Sequence, residues 1–464
     1  TPKERNTIER VVMPQLDAKY RITCNEEVNQ GITLEQARRE ATRCLDCLNA
    51  QCVTGCPVGI NIPEFIKNVE RGEIGEAGRV IKRTSSLPAV CGRVCPQEKQ
   101  CESKCIKHKL KQEPVAIGYL ERFVADWQIS HSKEETTSMP ERNGIKVAVV
   151  GSGPAGLSFA GEMAKQGFDV SVFEALHEIG GVLKYGIPEF RLPNTIVDHE
   201  IEGLRKLGVK FEKNVLVGKT ITIDELKAEG YKGIFVGSGA GFPRFMNIPG
   251  ENLNGVMSSN EYLTRINLMN AGRGGDTPVL KGDTIAVIGG GNTAMDSTRT
   301  ALRMGAKRVI LVYRRSEEEM PARREEVHHA KEEGVEFMTL HNPVEYLGDE
   351  KGRVIAMKVQ RMELGEPDAS GRRSPVAVEG AIEEIAVDLV IVAVGVQPNQ
   401  LVPRSIEGLE ISKRNTIVVD ESSMRSNICD IYAGGDIVRG GATVILAMGD
   451  GRRAAINMAK QLTQ

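Results

Sequence analysis

Nine of the ten cysteines lie before residue 106, and their spacing is the first sign of chemistry in this chain. The first run reads C-x₂-C-x₄-C-x₃-C-P from Cys44 to Pro57, and the second reads C-x₃-C-P-x₄-C-x₃-C from Cys91 to Cys105. Thiolates at such short spacings bind zinc or iron–sulfur clusters. A proline directly after the last cysteine of a run is typical of bacterial ferredoxins. We therefore predict iron–sulfur clusters, with zinc and structural thiols as alternatives.

The remaining thiols and the composition indicate the setting. Crowded thiols without a secretory signal argue against a disulfide framework. The formal net charge is −2, and no apolar run has the length of a membrane span. We expect a cytoplasmic protein that binds neither nucleic acid nor membrane, and that can form an oligomer. The isolated Cys24 and Cys429 are predicted to be small buried residues.

A glycine-rich turn follows the apolar run "KVAVV" and leads into a predicted helix. Its residues Gly151, Gly153 and Gly156 give the spacing G-x-G-x-x-G. Glycines at this spacing allow a tight turn and let a pyrophosphate approach the helix N-terminus. Glu174 ends the next strand, where a carboxylate can accept hydrogen bonds from a ribose. This unit is predicted to bind a dinucleotide.

A second unit repeats the design with Gly289, Gly291 and Ala294. Its second strand ends in Arg314 and Arg315 instead of an acid. Guanidinium groups bind a 2′-phosphate that a carboxylate would repel. The unit therefore predicts NADP(H), with solvated surface arginines as the alternative, and Arg323 is a candidate for the same pocket.

A third landmark, "YAGGDIV", contains Gly435 and Asp436 after another β-rich run. Asp436 is a candidate to bind the ribityl chain of a flavin. A helix starting near Thr443 would direct its positive end at the flavin ring. Two nucleotide sites and this landmark favour FAD with a nicotinamide nucleotide.

The segments "VVGSGPAGL", "FEALHEIGGVLKYGIPEFRLP", "VIGGGNTAMD", "VYRR" and "YAGGDIV" together resemble the glutamate synthase small-subunit family. That family includes the large subunit of the electron-bifurcating ferredoxin:NADP transhydrogenase, sulfide dehydrogenase and the N-terminal half of dihydropyrimidine dehydrogenase. The resemblance implies an α/β fold in which a helical iron–sulfur domain precedes two Rossmann-like domains. It divides the chain into a cluster domain at 1–140, FAD-binding parts at 145–258 and 395–464, and an inserted NADP domain at 259–394. We interpret 130–144 as a linker.

The resemblance also implies site residues. The segment 180–193 is expected near the flavin ring. Further candidate cofactor residues are Pro154, Ala155, Gly181, Leu183, Gly186, Ile187, Arg191, Gly239, Gly290, Asn292, Thr293, Asp296, Gly395 and Val444. One [4Fe–4S] cluster is assigned to Cys44, Cys47, Cys52 and Cys105. A second is assigned to Cys56, Cys95, Cys101 and Glu121, with Cys91 outside the ligand set; a solvated helix carboxylate is the alternative for Glu121.

The predicted function is electron transfer between NADPH, FAD and two clusters, to or from a partner subunit or ferredoxin. No side chain is assigned as a catalytic acid or base. The alternative is the small subunit of NADPH glutamate synthase, which feeds electrons to its large subunit; the second cysteine run fits the transhydrogenase branch better. Because no cysteine lies between residues 105 and 429, a disulfide-reductase mechanism within the chain is excluded. A non-catalytic scaffold is the remaining alternative.

Overall fold

The N-terminal region consists of short helices, as the sequence predicts. This computed structural model describes residues 1–131, 138–272 and 274–464, so the central part of the predicted linker lies outside the described residues. The helices are α1 (Pro2–Arg5), α2 (Ala18–Arg21), α3 (Leu34–Thr42), α4 (Gln51–Thr54), α5 (Ile62–Arg71), α6 (Ile74–Lys82), α7 (Pro88–Val94) and α8 (Ile117–Ser130). Three 3₁₀ turns lie between α7 and α8, at Gln97–Lys99, Glu102–Lys104 and Ile106–His108.

Local sequence signals explain where α3 and α5 begin and end. The Thr33 hydroxyl accepts a hydrogen bond from the Gln36 backbone N–H, and the Gln36 side chain accepts one in return, which forms the predicted capping box of α3. The apolar face of α5 is buried. Gly72 ends α5 with a φ of +84°, a conformation that favours glycine.

The following segment alternates strands and helices. Its elements are β1 (Lys146–Val150), α9 (Pro154–Lys165), β2 (Asp169–Phe173), α10 (Val182–Tyr185), α11 (Asn194–Lys206), β3 (Lys210–Glu212), α12 (Ile223–Ala228), β4 (Tyr231–Val236) and β5 (Phe242–Pro243).

The rest of the chain completes two sheets. Its elements are β6 (Val256–Ser258), α13 (Ser259–Leu263), a π-helical stretch (Thr264–Leu268), β7 (Thr284–Ile288), α14 (Asn292–Arg303), β8 (Arg308–Tyr313), a 3₁₀ turn (Glu317–Glu319), α15 (Arg324–Glu332), β9 (Glu336–Thr339), β10 (His341–Gly348), β11 (Val354–Pro367), β12 (Arg373–Ala386), β13 (Leu389–Val392), β14 (Val396–Gln397), α16 (Leu401–Arg404), β15 (Ile431–Ala433), α17 (Asp436–Arg439) and α18 (Val444–Thr463).

The first sheet is parallel and has the strand order β15-β4-β1-β2-β3. The last strand of the chain therefore joins the first strands, which confirms a domain interrupted by an insertion. Helix α18 packs closely on α9. The separation is so small that a Cβ on Gly451 would lie only 2.2 Å from the Ala155 carbonyl oxygen. The glycine allows the two helices this close approach.

The second sheet is also parallel, with the order β6-β13-β7-β8-β9. Strand β6 pairs with β13, so the second sheet begins before residue 259, earlier than the predicted boundary. A three-stranded antiparallel sheet of β10, β11 and β12 adjoins it. The sequence analysis predicted no such hairpin.

The cluster region and the first nucleotide-binding region share one apolar core, which extends from Ala37 to Ala459. The contact between α7 and α11 is also polar, because the Ala89 N–H donates to the Glu200 carboxylate at 2.8 Å. A search of the described residues finds no helix with the length and apolarity that crossing a membrane requires.

Candidate functional site

The first glycine turn has the geometry of a pyrophosphate cradle. Gly151 has a φ of +98°, and a Cβ there would lie 2.4 Å from the Gly237 carbonyl oxygen. A Cβ on Gly156 would lie 2.1 Å from the Gly151 carbonyl oxygen. Gly153, by contrast, faces open space. Two glycines therefore allow the tight turn and the third leaves room at the N-terminus of α9, where a phosphate would bind.

The Glu174 carboxylate lies beside this turn. It accepts hydrogen bonds from the Ser152 N–H at 3.2 Å, from the Ser152 hydroxyl and from the Leu176 N–H at 3.0 Å. The side chain is buried. The structure thus brings the acid to the turn, and its bond to a ribose stays a prediction.

Other predicted flavin residues meet at the same corner. A Cβ on Gly181 would lie 2.8 Å from the Gly153 Cα, and one on Gly435 would lie 3.0 Å from the Ala155 Cβ. Burial raises the pKa of Asp436 to about 6. Thr443 caps α18, because its hydroxyl accepts from the Leu446 N–H at 3.3 Å.

The remaining residues of this predicted set are less diagnostic. Leu183 is fully buried and Ile187 nearly so. Gly186 lies against the Val182 side chain, whereas Gly239 faces open space at a φ of +72°. Val444 is the first residue of α18. Their contacts with a flavin stay predictions.

The second glycine turn repeats the first. Gly289 has a φ of +140° and a Cβ there would lie 2.2 Å from the Ala393 carbonyl oxygen, whereas one on Gly291 would meet only the Pro321 Cγ, at 3.9 Å. The Tyr313 ring packs on Gly290, and Ala294 is fully buried. Helix α14 begins here, so this turn can also bind a phosphate.

Flanking residues support this second turn. The Asn292 side chain accepts a hydrogen bond from the Arg323 backbone N–H at 2.9 Å. Thr293 is exposed in the first turn of α14. Gly395 adopts a φ of +117°, and its carbonyl oxygen accepts from the Arg244 N–H at 3.0 Å. Asn292 and Thr293 therefore line the open side of the turn, where a nucleotide would lie.

Two of the predicted NADP arginines have other partners. The Arg315 guanidinium is buried and donates to the Asp368 carboxylate at 2.8 Å. Arg323 donates to the Gln97 side chain at 2.9 Å and pairs with Glu98 at 3.3 Å. Arg314 is exposed beside the turn. Of the three, Arg314 alone is exposed, and its contact with a phosphate stays a prediction.

Arg191 and Asp296 also differ from the prediction, because they bind each other. The Arg191 guanidinium donates to both oxygens of Asp296, at 2.9 and 2.7 Å, and lies 3.4 Å from Glu326. All three side chains are nearly inaccessible to solvent. A buried charge requires a partner of opposite charge, and this ion pair joins the segment 180–193 to α14.

Four thiols surround a cavity of about 340 Å³. They belong to Cys44, Cys47, Cys52 and Cys105. Burial, followed by the other thiolates of this set, raises the pKa of Cys44 to about 11 and that of Cys52 to about 12. The charged residues that line the cavity are basic, namely Lys104, Lys107 and Lys109. This first thiol group therefore fits an anionic cluster held by thiolates.

A second group consists of Cys56, Cys95, Cys101 and Glu121. Burial, followed by the charges of Glu121 and Cys95, raises the pKa of Cys56 to about 11. Burial also raises the pKa of Cys101, with Glu102, Cys95 and Glu121 as further causes. These interactions link the four residues of the second group, but they also include Cys91, so the division of the ligands between two clusters stays a prediction. Among the described residues no three such groups converge as they would around a single metal ion.

Glu121 has the chemistry of a ligand that lacks its partner. Its Oε1 atom is buried without a hydrogen bond, and burial, followed by the charge of Glu200, raises its pKa to about 8. A buried polar atom without a partner is costly. The side chain therefore fits iron ligation better than the alternative of a solvated helix carboxylate.

Helix α18 contacts two residues that lie beside the second group. The Cys91 thiol lies 3.3 Å from the Met448 sulfur and is hydrogen-bonded to Cys95. A Cβ on Gly449 would lie 2.9 Å from the Pro57 carbonyl oxygen, directly after Cys56. The helix that is expected to face the flavin therefore also forms one wall of the second thiol group.

Comparison with known proteins agrees with this geometry. The protein-family model described as "Dihydropyrimidine dehydrogenase domain II, 4Fe-4S cluster" matches residues 21–133, and the family model described as "Pyridine nucleotide-disulphide oxidoreductase" matches residues 145–451. The glutamate synthase [NADPH] small chain of Escherichia coli K12 is 36% identical over 457 residues, which cover 97% of this chain and 96% of that one. This chain belongs to the glutamate synthase small-chain family.

Other relatives of this family member are subunits of different oxidoreductases. The NADP(+)-dependent formate dehydrogenase subunit beta of Moorella thermoacetica is 38% identical over 90% of this chain and 60% of that one. The NADPH-Fe(3+) oxidoreductase subunit beta of Geobacter sulfurreducens is 35% identical over 89% of this chain and 64% of that one. Membership of the glutamate synthase small-chain family therefore does not by itself identify the electron acceptor.

Solved structures show the fold alone. FprA of Mycobacterium tuberculosis in complex with NADPH has a TM-score of 0.58 and 22% identity, over 69% of this chain and 85% of that one. The thioredoxin reductase of T. acidophilum has a TM-score of 0.52 and 21% identity, over 68% of this chain and 98% of that one. Both are consistent with the α/β arrangement of this small-chain family member.

Two thiols lie outside both cysteine runs, and their predicted burial was wrong. Cys24 is only partly buried and Cys429 is exposed. A lone cysteine has no spacing that indicates its environment. Glu200 is the opposite case, a buried carboxylate that the sequence analysis missed because it lies in an ordinary amphipathic helix.

The burial of Glu200 leads to a prediction on pH. Burial raises its pKa to about 7, from 4.5 in the unfolded chain, so its contribution to stability is present at low pH and is lost as the pH rises towards 7. Glu200→Gln removes this cost, which is about 3 kcal/mol above pH 7. The thermal midpoint of the variant should therefore exceed that of the wild type at pH 8 by more than at pH 5. Glu202→Gln, an exposed residue of the same helix, is the matched control, and equal gains for the two variants would contradict the prediction.

Proposed function

We propose that this chain is an NADPH-dependent FAD and iron–sulfur oxidoreductase, and that it holds two [4Fe–4S] clusters and exchanges electrons with a partner subunit or ferredoxin. One observation carries the proposal. Helix α18 packs on the FAD-type helix α9 through Gly451 and, through Met448, on Cys91, whose thiol is hydrogen-bonded to Cys95 of the second thiol group. A flavin and a cluster would share that helix as a common wall.

When bound, FAD and the clusters supply the conversion of a two-electron hydride transfer into single-electron steps. The side chains of this chain would bind the cofactors and orient them. The turn at Gly153 would hold the FAD pyrophosphate and the turn at Gly291 that of NADPH. Met448 and Cys91 are both fully buried, so water is excluded from the place where they touch. No proton-transferring side chain is required for hydride transfer, and we assign none.

The two thiol groups support an order of sites. The second group lies beside α18, because Cys91 contacts Met448 and is hydrogen-bonded to Cys95, whereas the cavity of the first group is lined by the exposed residues Lys104 and Lys109. Leu48, which follows Cys47, is fully exposed. We propose that the partner docks on the side of the first group. Basic side chains there favour an acidic partner.

The small subunit of NADPH glutamate synthase is the second candidate. It is supported by the match over 97% of this chain to the small chain of that enzyme. Anaerobic purification from the native source separates the candidates through the protein that co-elutes. A large flavin-containing amidotransferase would support glutamate synthase, whereas a subunit with flavin and a [2Fe–2S] cluster would support a transhydrogenase.

The proposal itself is tested by adding NADPH to the anaerobically purified chain. We expect the flavin absorbance near 450 nm and the broad iron–sulfur absorbance to decrease. A colourless protein, or a spectrum that NADPH leaves unchanged while dithionite bleaches it, would overturn the proposal. A scaffold that only binds the cofactors predicts this second result.

Glu121→Gln tests the ligand of the second group. A carboxylate donates more negative charge to iron than an amide, so the variant should keep the iron content of the wild type and raise the reduction potential of one cluster. Redox titration followed by electron paramagnetic resonance measures this shift. Glu76→Gln is the control, since the Glu76 carboxylate is exposed on α6 and lies outside both thiol groups. An unchanged potential in Glu121→Gln would remove Glu121 from the ligand set.

A further inference from the structure

The turn that joins β11 to β12 folds back onto the end of β8. We call residues 368–372 the hairpin tip. The Arg315 guanidinium donates from Nε to the Arg373 carbonyl oxygen at 2.9 Å and from Nη2 to the Asp368 carboxylate at 2.8 Å. The Arg315 side chain is 7% exposed. Two charge-assisted hydrogen bonds therefore fix the hairpin tip beside the strand that ends in the two arginines.

These contacts change the role of Arg315. A guanidinium that is buried against a carboxylate is unavailable for a phosphate, so Arg315 positions the hairpin tip. It also neutralises Asp368, whose other oxygen accepts from the Ser370 and Arg372 backbone N–H groups at 2.8 and 3.2 Å. The acidic residue at the tip therefore does not repel an anion as a free carboxylate would.

The fixed tip places Arg372 near Arg314, because Arg315, which directly follows Arg314, is bonded to the carbonyl oxygen of the residue after Arg372. The Arg372 backbone N–H is held by Asp368 and its Nε donates to the Ser370 hydroxyl at 3.0 Å. Burial, followed by the positive charges of Arg315 and then of Arg372, lowers the pKa of Arg314. Like charges placed together are unfavourable unless an anion binds between them.

Two glutamates of the segment that follows Arg315 are bound elsewhere. The Glu319 carboxylate accepts from the Ser316 N–H at 3.1 Å, and Glu317 pairs with Lys331 at 2.5 Å. Tyr313, which precedes Arg314, packs its ring on Gly290 of the second glycine turn. Arg314 therefore lies at the position where the ribose of a nucleotide bound to that turn is expected.

We propose that Arg372, together with Arg314, binds the 2′-phosphate of NADP(H), and that the hairpin tip is the specificity element of this site. This inference rests on the proposed function. It assigns the discrimination between NADPH and NADH to a residue 58 positions after Arg314, and it gives Arg315 a positioning role.

The test measures binding and turnover separately. Binding of 2′,5′-ADP and 5′-ADP to the full-length holoprotein is measured by calorimetry, and oxidation of NADPH and NADH by the reduction of ferricyanide. Arg372→Ala should weaken 2′,5′-ADP binding and raise the NADPH KM by about tenfold or more, while 5′-ADP and NADH change little. Arg373→Ala is the matched control, since its side chain donates to the Gly365 and Leu364 carbonyl oxygens.

The outcomes separate the inference from the proposed function. A loss in Arg314→Ala without a loss in Arg372→Ala overturns the role of the hairpin tip and leaves the proposed function intact. If neither variant weakens 2′,5′-ADP binding, the inference fails, and if the wild type itself binds 2′,5′-ADP no more tightly than 5′-ADP, the assignment of NADPH fails. Asp368→Asn provides a second measurement: it weakens the bond to Arg315 without removing a cation, and it should reduce the preference for 2′,5′-ADP.

Discussion

Replacing Cys105 with alanine is expected to remove one iron–sulfur cluster and to leave the other unchanged. Cys105 lines the cavity of the first thiol group, whereas Cys101, four residues earlier, belongs to the second group with Cys56 and Glu121. Each [4Fe–4S] cluster needs its ligands from the protein. Cys105→Ala and Cys101→Ala should therefore each contain about half of the wild-type iron but lose different electron paramagnetic resonance signals.

Comparing Cys105→Ala with Cys101→Ala tests whether the two residues belong to different clusters. Cys429→Ala is the control, because its exposed thiol lies outside both groups and its loss should change neither signal. The two-cluster division fails if Cys105→Ala and Cys101→Ala lose the same signal, or if either loses both signals while remaining folded by circular dichroism. Cys91→Ala adds a further check, since a non-ligating thiol should leave the iron content unchanged.

The sequence could predict the elements whose signals are local. The capping box at Thr33, the buried face of α5 and the two glycine turns depend on spacings of a few residues, and the structure contains each of them. The spacing of apolar residues, the capping residues and the glycines of a turn specify such elements, because each acts between residues that are close in the chain. The division of the thiols came from resemblance, since eight cysteines in two runs allow many pairings.

The rest depends on contacts between distant residues. Arg323 and Gln97 are 226 positions apart, and Arg191 and Asp296 are 105 apart. An arginine near a nucleotide motif suggests a phosphate ligand, and nothing local distinguishes it from an arginine that pairs with a buried carboxylate. The hairpin tip is a similar case, because Asp368 follows a long strand and carries no motif. Tertiary packing decides these roles.

The open position in each glycine turn leads to a second prediction with a large effect. A Cβ on Gly153 would meet open space and one on Gly291 would lie at an ordinary contact distance, 3.9 Å, from the Pro321 Cγ, so Gly153→Val and Gly291→Val should both fold. Each valine would nevertheless occupy the volume that a pyrophosphate needs. Gly153→Val should therefore be purified without flavin absorbance but with its iron. Gly291→Val should keep its flavin, which dithionite and not NADPH would reduce.

The two variants test the order of the nucleotide sites because they change equivalent positions. Gly151→Ala is a contrasting variant, since its Cβ would lie 2.4 Å from the Gly237 carbonyl oxygen at a φ that disfavours alanine. It should destabilise the fold as well as lose flavin, which a lower thermal midpoint would reveal. If Gly291→Val loses flavin and Gly153→Val keeps it, the two sites are exchanged. If both variants retain flavin and react with NADPH at the wild-type rate, the nucleotides bind elsewhere, because a valine at either position would clash with a bound pyrophosphate.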